Sequence, residues 1–156
     1  MQSYKQLRVW QRAHALTLAV YRLATSLPAD ERFGLCSQLR RAAVSVPTNI
    51  VEGAKRQTNA DYARFLNIAE ASLAETEYLL LLASDLGYLS SDALQPIAAE
   101  IEEVARMLHA LRTKVEQGGP ELSTHDSALS TRGSGLSGRH DPSGRCMTCR
   151  AGAEPR

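Results

Sequence analysis

A proline at position 47 sits in the middle of a helical hydrophobic pattern, and that conflict constrains this chain more than any other feature. At about 100° per residue, the sequence around it sorts into faces. Leu35, Leu39, Ala42, Val46 and Ile50 form one apolar stripe, and Gln38, Arg41, Ser45, Thr48, Asn49 and Glu52 form the polar side. Val44, Pro47 and Val51 add a second apolar strip, with Arg40 among them. The apolar arc spans about half the circumference, against the ~100° that one core contact needs. Such a helix suits packing inside its own subunit on one side and against another subunit on the other. Arg40, Val44, Pro47 and Val51 are the residues expected at that second contact. Pro47 has no N–H to give to the carbonyl of Ala43, and its ring crowds that carbonyl, at a cost of about 3 kcal/mol. Two outcomes are open: the helix ends at Val46 and a loop comes next, or it continues with a kink. The polar stripe keeps its register through Asn49 and Glu52, which favours a kinked helix over residues 33–54. Gly53 is then a C-terminal stop or a close packing contact.

Three further helices are predicted around this one. The first runs over residues 7–26, with Trp10, His14, Thr17, Tyr21 and Ala24 on one stripe and Ala13, Leu16, Val20, Leu23 and Leu27 on the next. Pro28 stops it, and Asp30 is placed to cap the second helix. Cys36 reads as a small buried hydrophobe. Thr58 and Asp61 resemble a capping box at the start of the third helix, which runs to about residue 86. Tyr62, Leu66, Ala69, Leu73, Thr76, Leu80 and Ala83 alternate in steps of four and three, the seam of a left-handed bundle. Its end, Tyr78–Leu82, is apolar all round. Gly87 is a stop signal; Ser90, Ser91 or Asp92 caps the fourth helix, with Pro96 in its first turn. Leu94, Ile97, Ile101, Val104, Leu108, Leu111 and Val115 form its stripe, ending near residue 117.

The fold class is therefore all-α: an up-and-down antiparallel four-helix bundle over residues 1–117, followed by a disordered tail over 118–156. The tail is rich in Gly, Ser, Thr and Arg and lacks periodicity. Hydrophobic residues make up 44% of the chain but aromatics only 5%, which favours helical packing over a β-sandwich. No run reaches 18 uninterrupted apolar residues, so no membrane span is expected. Arg8, Gln11, Arg12 and His14 break up any apolar signal region, and the cytoplasm is the expected location.

Net charge is +1, yet its distribution is lopsided. Through Arg64 there are ten Lys/Arg and four Asp/Glu; from Phe65 to Gln117 there are three and nine. The asymmetry has two readings: nucleic-acid contact, or basic helices paired with acidic ones inside a bundle.

Several spaced segments carry a resemblance. Residues 40–53, RRAAVSVPTNIVEG, are similar to the central motif of the four-helix-bundle family named for proteins encoded in 23S rRNA intervening sequences. Residues 7–13, LRVWQRA, resemble that family's opening, and 31–35, ERFGL, its first connection. Residues 65–69 and 72–75 resemble its third helix and 86–88 the turn after it; together the similarity spans residues 4–115. The resemblance implies a bundle assembled as a ring-like homopentamer without known enzyme activity. It also implies kinship with accessory proteins of diversity-generating retroelements, which bind nucleic acid and a reverse transcriptase.

An enzyme has little support. There is no HExxH, Walker loop, GxSxG or glycine-rich phosphate cradle. Cys146 and Cys149 form one CxxC, with His140 and His125 upstream, short of the two spaced pairs of a zinc site. No catalytic residue, metal or cofactor is expected. The leading expectation is a non-enzymatic, oligomeric, RNA- or DNA-binding accessory protein. Lys5, Arg8, Arg12, Arg22, Arg41, Lys55, Arg56 and Arg64 would contact phosphates, which position without reading sequence. No basic surface studded with aromatics for base stacking is evident in the sequence. The alternative is a protein-interaction scaffold, for example a reverse-transcriptase accessory subunit, using the second apolar strips of the first two helices.

Overall fold

The computed structural model describes residues 4–118, which form four α-helices and no strand. They are α1, Arg8–Leu23; α2, Leu35–Gly53; α3, Asn59–Asp85; and α4, Ser91–Glu116. The tail after residue 118, with His125, His140, Cys146 and Cys149, lies outside the described residues.

Each boundary has a local cause. α1 stops at Leu23 and passes into a 3-10 turn, Ala24–Ser26, where the Thr25 and Ser26 hydroxyls donate back to the carbonyls of Arg22 and Leu23. Glu31, not the expected Asp30, caps α2: its Oε2 accepts the Leu35 N–H at 3.1 Å. Thr58 caps α3 by accepting the Asp61 N–H, while Asp61 answers the Thr58 hydroxyl at 2.7 Å. Ser90 caps α4, and Pro96 falls in the second turn of that helix rather than the first. Gly87 closes the end of α3 at φ 76°, a conformation that costs glycine little.

Cross-helix contacts set the topology. Cys36 reaches the Ala24 carbonyl and Thr17 the Ala43 carbonyl, so α2 runs back along α1. Ser72 bonds Ser45, and Gly53 lies against Tyr62 and Phe65, so α3 runs back along α2. α4 returns along α3 and packs on α1, closing an antiparallel up-and-down bundle. All seven residues of the predicted α3 seam are buried, as are Leu35, Leu39, Ala42, Val46 and Ile50 of α2.

α2 continues through Pro47, which is buried; the helix does not break at Val46. Pro47 deprives the Ala43 carbonyl of its amide donor. Thr17 Oγ1, itself buried, lies 2.9 Å from Ala43 O and 2.9 Å from Ala13 O. Ala13 O has an intrahelical amide partner available, so the single hydroxyl proton is best used on Ala43. One side chain of α1 thus repairs the ladder of α2. Gly53 closes the motif as a packing contact: a Cβ there would lie 2.7 Å from the Tyr62 ring and 2.9 Å from Phe65 Cβ.

Candidate nucleic-acid interface

Because neighbouring helices alternate in direction, one end of the bundle gathers the start of α1, the end of α2, the start of α3 and the end of α4. That end carries Lys5, Arg8, Lys55, Arg56, Arg64, Arg112 and Lys114, against the acids Glu52, Asp61 and Glu116. The opposite end carries Arg22, Arg32, Arg40 and Arg41 against Asp30, Glu31, Glu77, Asp85 and Asp92. The lopsided charge of the sequence thus becomes a polarity along the bundle axis.

Five of the eight predicted basic residues, Lys5, Arg8, Lys55, Arg56 and Arg64, come together there, and all five are exposed. Arg12 sits one step inward and is held by Glu100 through contacts of 3.0 and 3.1 Å. Arg22 and Arg41 are exposed but do not join the cluster. Arg22 lines a shallow groove between α1 and α4 in the other half, and Arg41 lies in the N-terminal half of α2. Arg8, Arg22, Arg41, Lys55 and Arg64 make no ion pair among the described residues. Internal pairing of basic with acidic helices therefore leaves most of these charges unneutralised.

Arg56 packs over the Phe65 ring at 4.4 Å and approaches Glu52 at 3.9 Å, which points it across the α2–α3 turn. Arg112 is committed elsewhere: it bonds Glu70 at 3.1 Å and Glu116 at 2.8 Å, and these bonds, Glu70 first, raise its pKa above the ordinary arginine value. Lys114 is exposed and was missed in the sequence because α4 as a whole is acidic.

Three rings come together along α1 and the turn before it. Trp10 stacks on His14 with centroids 5.2 Å apart and planes within 5°. Tyr4 meets Trp10 in a T-shaped contact at 5.1 Å. The three rings are separated in sequence by one and two helical turns, so no local aromatic run advertises them.

The second apolar strips form a flank along α1 and α2. Leu18, Tyr21 and Val44 are 44%, 40% and 43% exposed. Arg40 and Val51 are half-buried there, and Pro47 lies inside the subunit rather than on its surface. The Arg40 guanidinium rests over the Tyr21 ring at 5.5 Å, and its Nε is buried without a hydrogen-bond partner. On α3, across the bundle, Tyr78 and Leu81 are 61% and 57% exposed. Among the described residues, no three His, Cys, Asp or Glu side chains are grouped to hold a metal ion, and no helix is long and apolar enough to cross a membrane.

The model of the 23S rRNA-intervening sequence protein family matches residues 5–110. The chain belongs to this family. Its match takes in every basic residue expected from the sequence but leaves Arg112 and Lys114 outside. A solved structure from Bacteroides thetaiotaomicron VPI-5482, a protein of unknown function from the S23 ribosomal protein family, is similar at 25% identity and a TM-score of 0.63. The similarity covers 67% of this chain and 95% of that one. No curated protein sequence matches.

Proposed function

We propose that this protein is a non-enzymatic, cytoplasmic accessory protein that binds RNA through the basic end of its bundle and acts as a ring-like homo-oligomer. The observation that carries the reading is the gathering of Arg8, Lys55 and Arg64, exposed and without ion pairs among the described residues, at the end that also holds Lys5, Arg56 and Lys114. Unneutralised arginines and lysines release counterions when they meet phosphates, which drives binding without base readout. A ring that presents the same end of every subunit on one side would multiply this modest patch into a continuous field.

Two unlike apolar faces support assembly. The α1–α2 flank, with Leu18, Tyr21, Arg40, Val44 and Val51, and the α3 face, with Tyr78 and Leu81, lie on different sides of the bundle. Unlike faces on one subunit suit a head-to-tail interface, which closes as a ring when the rotation allows. A carboxylate of the next subunit would satisfy the orphaned Arg40 Nε. A bend of α2 at Pro47 would set the angle of that flank. The number five rests on the family resemblance alone.

Binding of RNA by the full chain over a salt series tests the reading. A steep fall of log affinity with log salt supports it, and absence of binding at low salt removes it. A second reading, a scaffold for another protein such as a reverse transcriptase, is favoured by the exposed Phe33, Tyr78, Leu81 and Leu86 near the acidic end. Partner binding that survives loss of RNA binding would select it.

A further inference from the structure

We infer that Arg40 of one copy pairs with Glu75 of the next, so that the rotation axis of the assembly runs along the bundle. This rests on the proposed assembly and adds its contact residues and its axis. Arg40 is half-buried, and its Nε is buried without a hydrogen-bond partner. Its guanidinium makes no ion pair among the described residues. It rests over the Tyr21 ring, beside the exposed Leu18 and Val44. A buried donor left without an acceptor is costly, and a carboxylate from outside the subunit removes that cost.

Height along the bundle selects the carboxylate. Gln38 of α2 donates to Glu75 Oε1 at 3.3 Å, which puts those two residues level. Arg40 is two residues further along α2, so at about 1.5 Å per residue it stands roughly 3 Å from that level. The exposed surface of α3 there carries Ile68, Ala71, Ala74, Glu75 and Tyr78. Glu75 is the carboxylate of that set, and it makes no ion pair among the described residues. Glu70 is close in height but is held by Arg112. Glu77 stands about 6 Å from the level of Arg40. Arg40 and Glu75 do not meet inside one subunit. Arg40 leans on α1 and Gln38 on α3, about 200° apart around α2. A rotation about an axis along the bundle keeps every residue at its own height. The flank of one copy then meets the α3 face of the next level with itself. Val44, close in height to Ser72 through the Ser45–Ser72 bond, meets the exposed Ile68 and Ala71. The same axis sets Arg8, Lys55 and Arg64 of every copy on one rim.

Light scattering of the full-length protein at micromolar concentration reads the pairing. Arg40→Glu and Glu75→Arg should each lower the mass to that of a monomer, with the helical signal in circular dichroism unchanged. The double variant should regain the parent mass. An equal mixture of the two single variants should also assemble above the monomer mass, because each contact between unlike copies then joins opposite charges. Mixing does not rescue an effect confined to one subunit. Glu77→Arg, the same charge change two residues further along α3, should keep the parent mass. Parent mass in Glu75→Arg, or no regain in the double variant or the mixture, overturns the pairing while the assembly stands. Equal loss in Glu77→Arg and Glu75→Arg overturns the choice of Glu75. A monomeric parent removes both the assembly and this inference. Should Arg40→Glu fail to fold, Glu75→Arg against Glu77→Arg decides, since both glutamates are exposed.

Discussion

The Thr17 hydroxyl lies 2.9 Å from the Ala43 carbonyl, the acceptor that Pro47 leaves without a backbone amide. The contact couples two helices through a defect in one of them. Thr17→Val keeps the shape but strands a buried acceptor, which costs about 1–3 kcal/mol. In a Pro47→Ala background the new amide serves Ala43, so the same Thr17→Val change should cost much less. Denaturant unfolding of the two single variants and the double variant measures the coupling. Equal costs in both backgrounds would show that Thr17 does not compensate Pro47.

Gly53 offers a second test, because propensity and packing oppose each other there. Alanine gains up to about 1 kcal/mol over glycine inside a helix, and less at Gly53, the last residue of α2. Its methyl would sit within 3 Å of the Tyr62 ring and Phe65 Cβ, and relieving such overlap costs about 1–3 kcal/mol. Gly53→Ala should therefore destabilise, and Gly53→Val more so. A rise in stability on Gly53→Ala would mean that α2 and α3 are not in close contact at that point.

The α1–α2 flank makes a prediction about mass rather than stability. Val44 is exposed, so Val44→Lys should leave the bundle folded by circular dichroism while lowering the mass measured by light scattering. Arg40→Ala, which deletes the orphaned Nε, should act in the same direction. A parent protein that is monomeric at micromolar concentration would remove the assembly from the proposed function.

Tyr62 gives a pH signature. Burial disfavours its phenolate and raises its pKa above the ordinary value near 10. The folded state then holds the proton more tightly than the unfolded state. Stability from this group is complete below the ordinary pKa and declines as pH climbs above about 10. Tyr62→Phe should flatten that alkaline limb of the stability profile; an unchanged limb would place the decline on other groups.

Most of the fold was legible because heptad-like spacing survives folding unchanged. The seam from Tyr62 to Ala83 and the stripe from Leu35 to Ile50 are buried as their periodicity dictates. The helix through Pro47 was legible too, since Asn49 and Glu52 keep register across it. What repairs it was not, because Thr17 is 26 residues from Ala43 and looks like one more member of a stripe. Angle alone puts Pro47 on the surface strip, yet it lies on the side of α2 that faces α1 and is buried. The basic residues could be named but not sorted. Charge per sequence half ignores that antiparallel helices bring Arg8, Lys55 and Lys114 to one end and send Arg22 to the other. The stack of Tyr4, Trp10 and His14 likewise exists only once the chain is helical.

The central claim is that one end of the bundle holds the nucleic acid, and a comparison of two sets of charge-removing substitutions tests it most directly. The full-length protein, a basic-end variant carrying Arg8→Gln, Lys55→Gln and Arg64→Gln, and a control carrying Arg22→Gln and Arg41→Gln are titrated with single-stranded RNA across a salt series. The basic-end variant should lose affinity and its log–log salt slope should shrink by about 2, while the control keeps the parent slope. Equal losses in the two variants, or a parent slope in the basic-end variant, would contradict the claim.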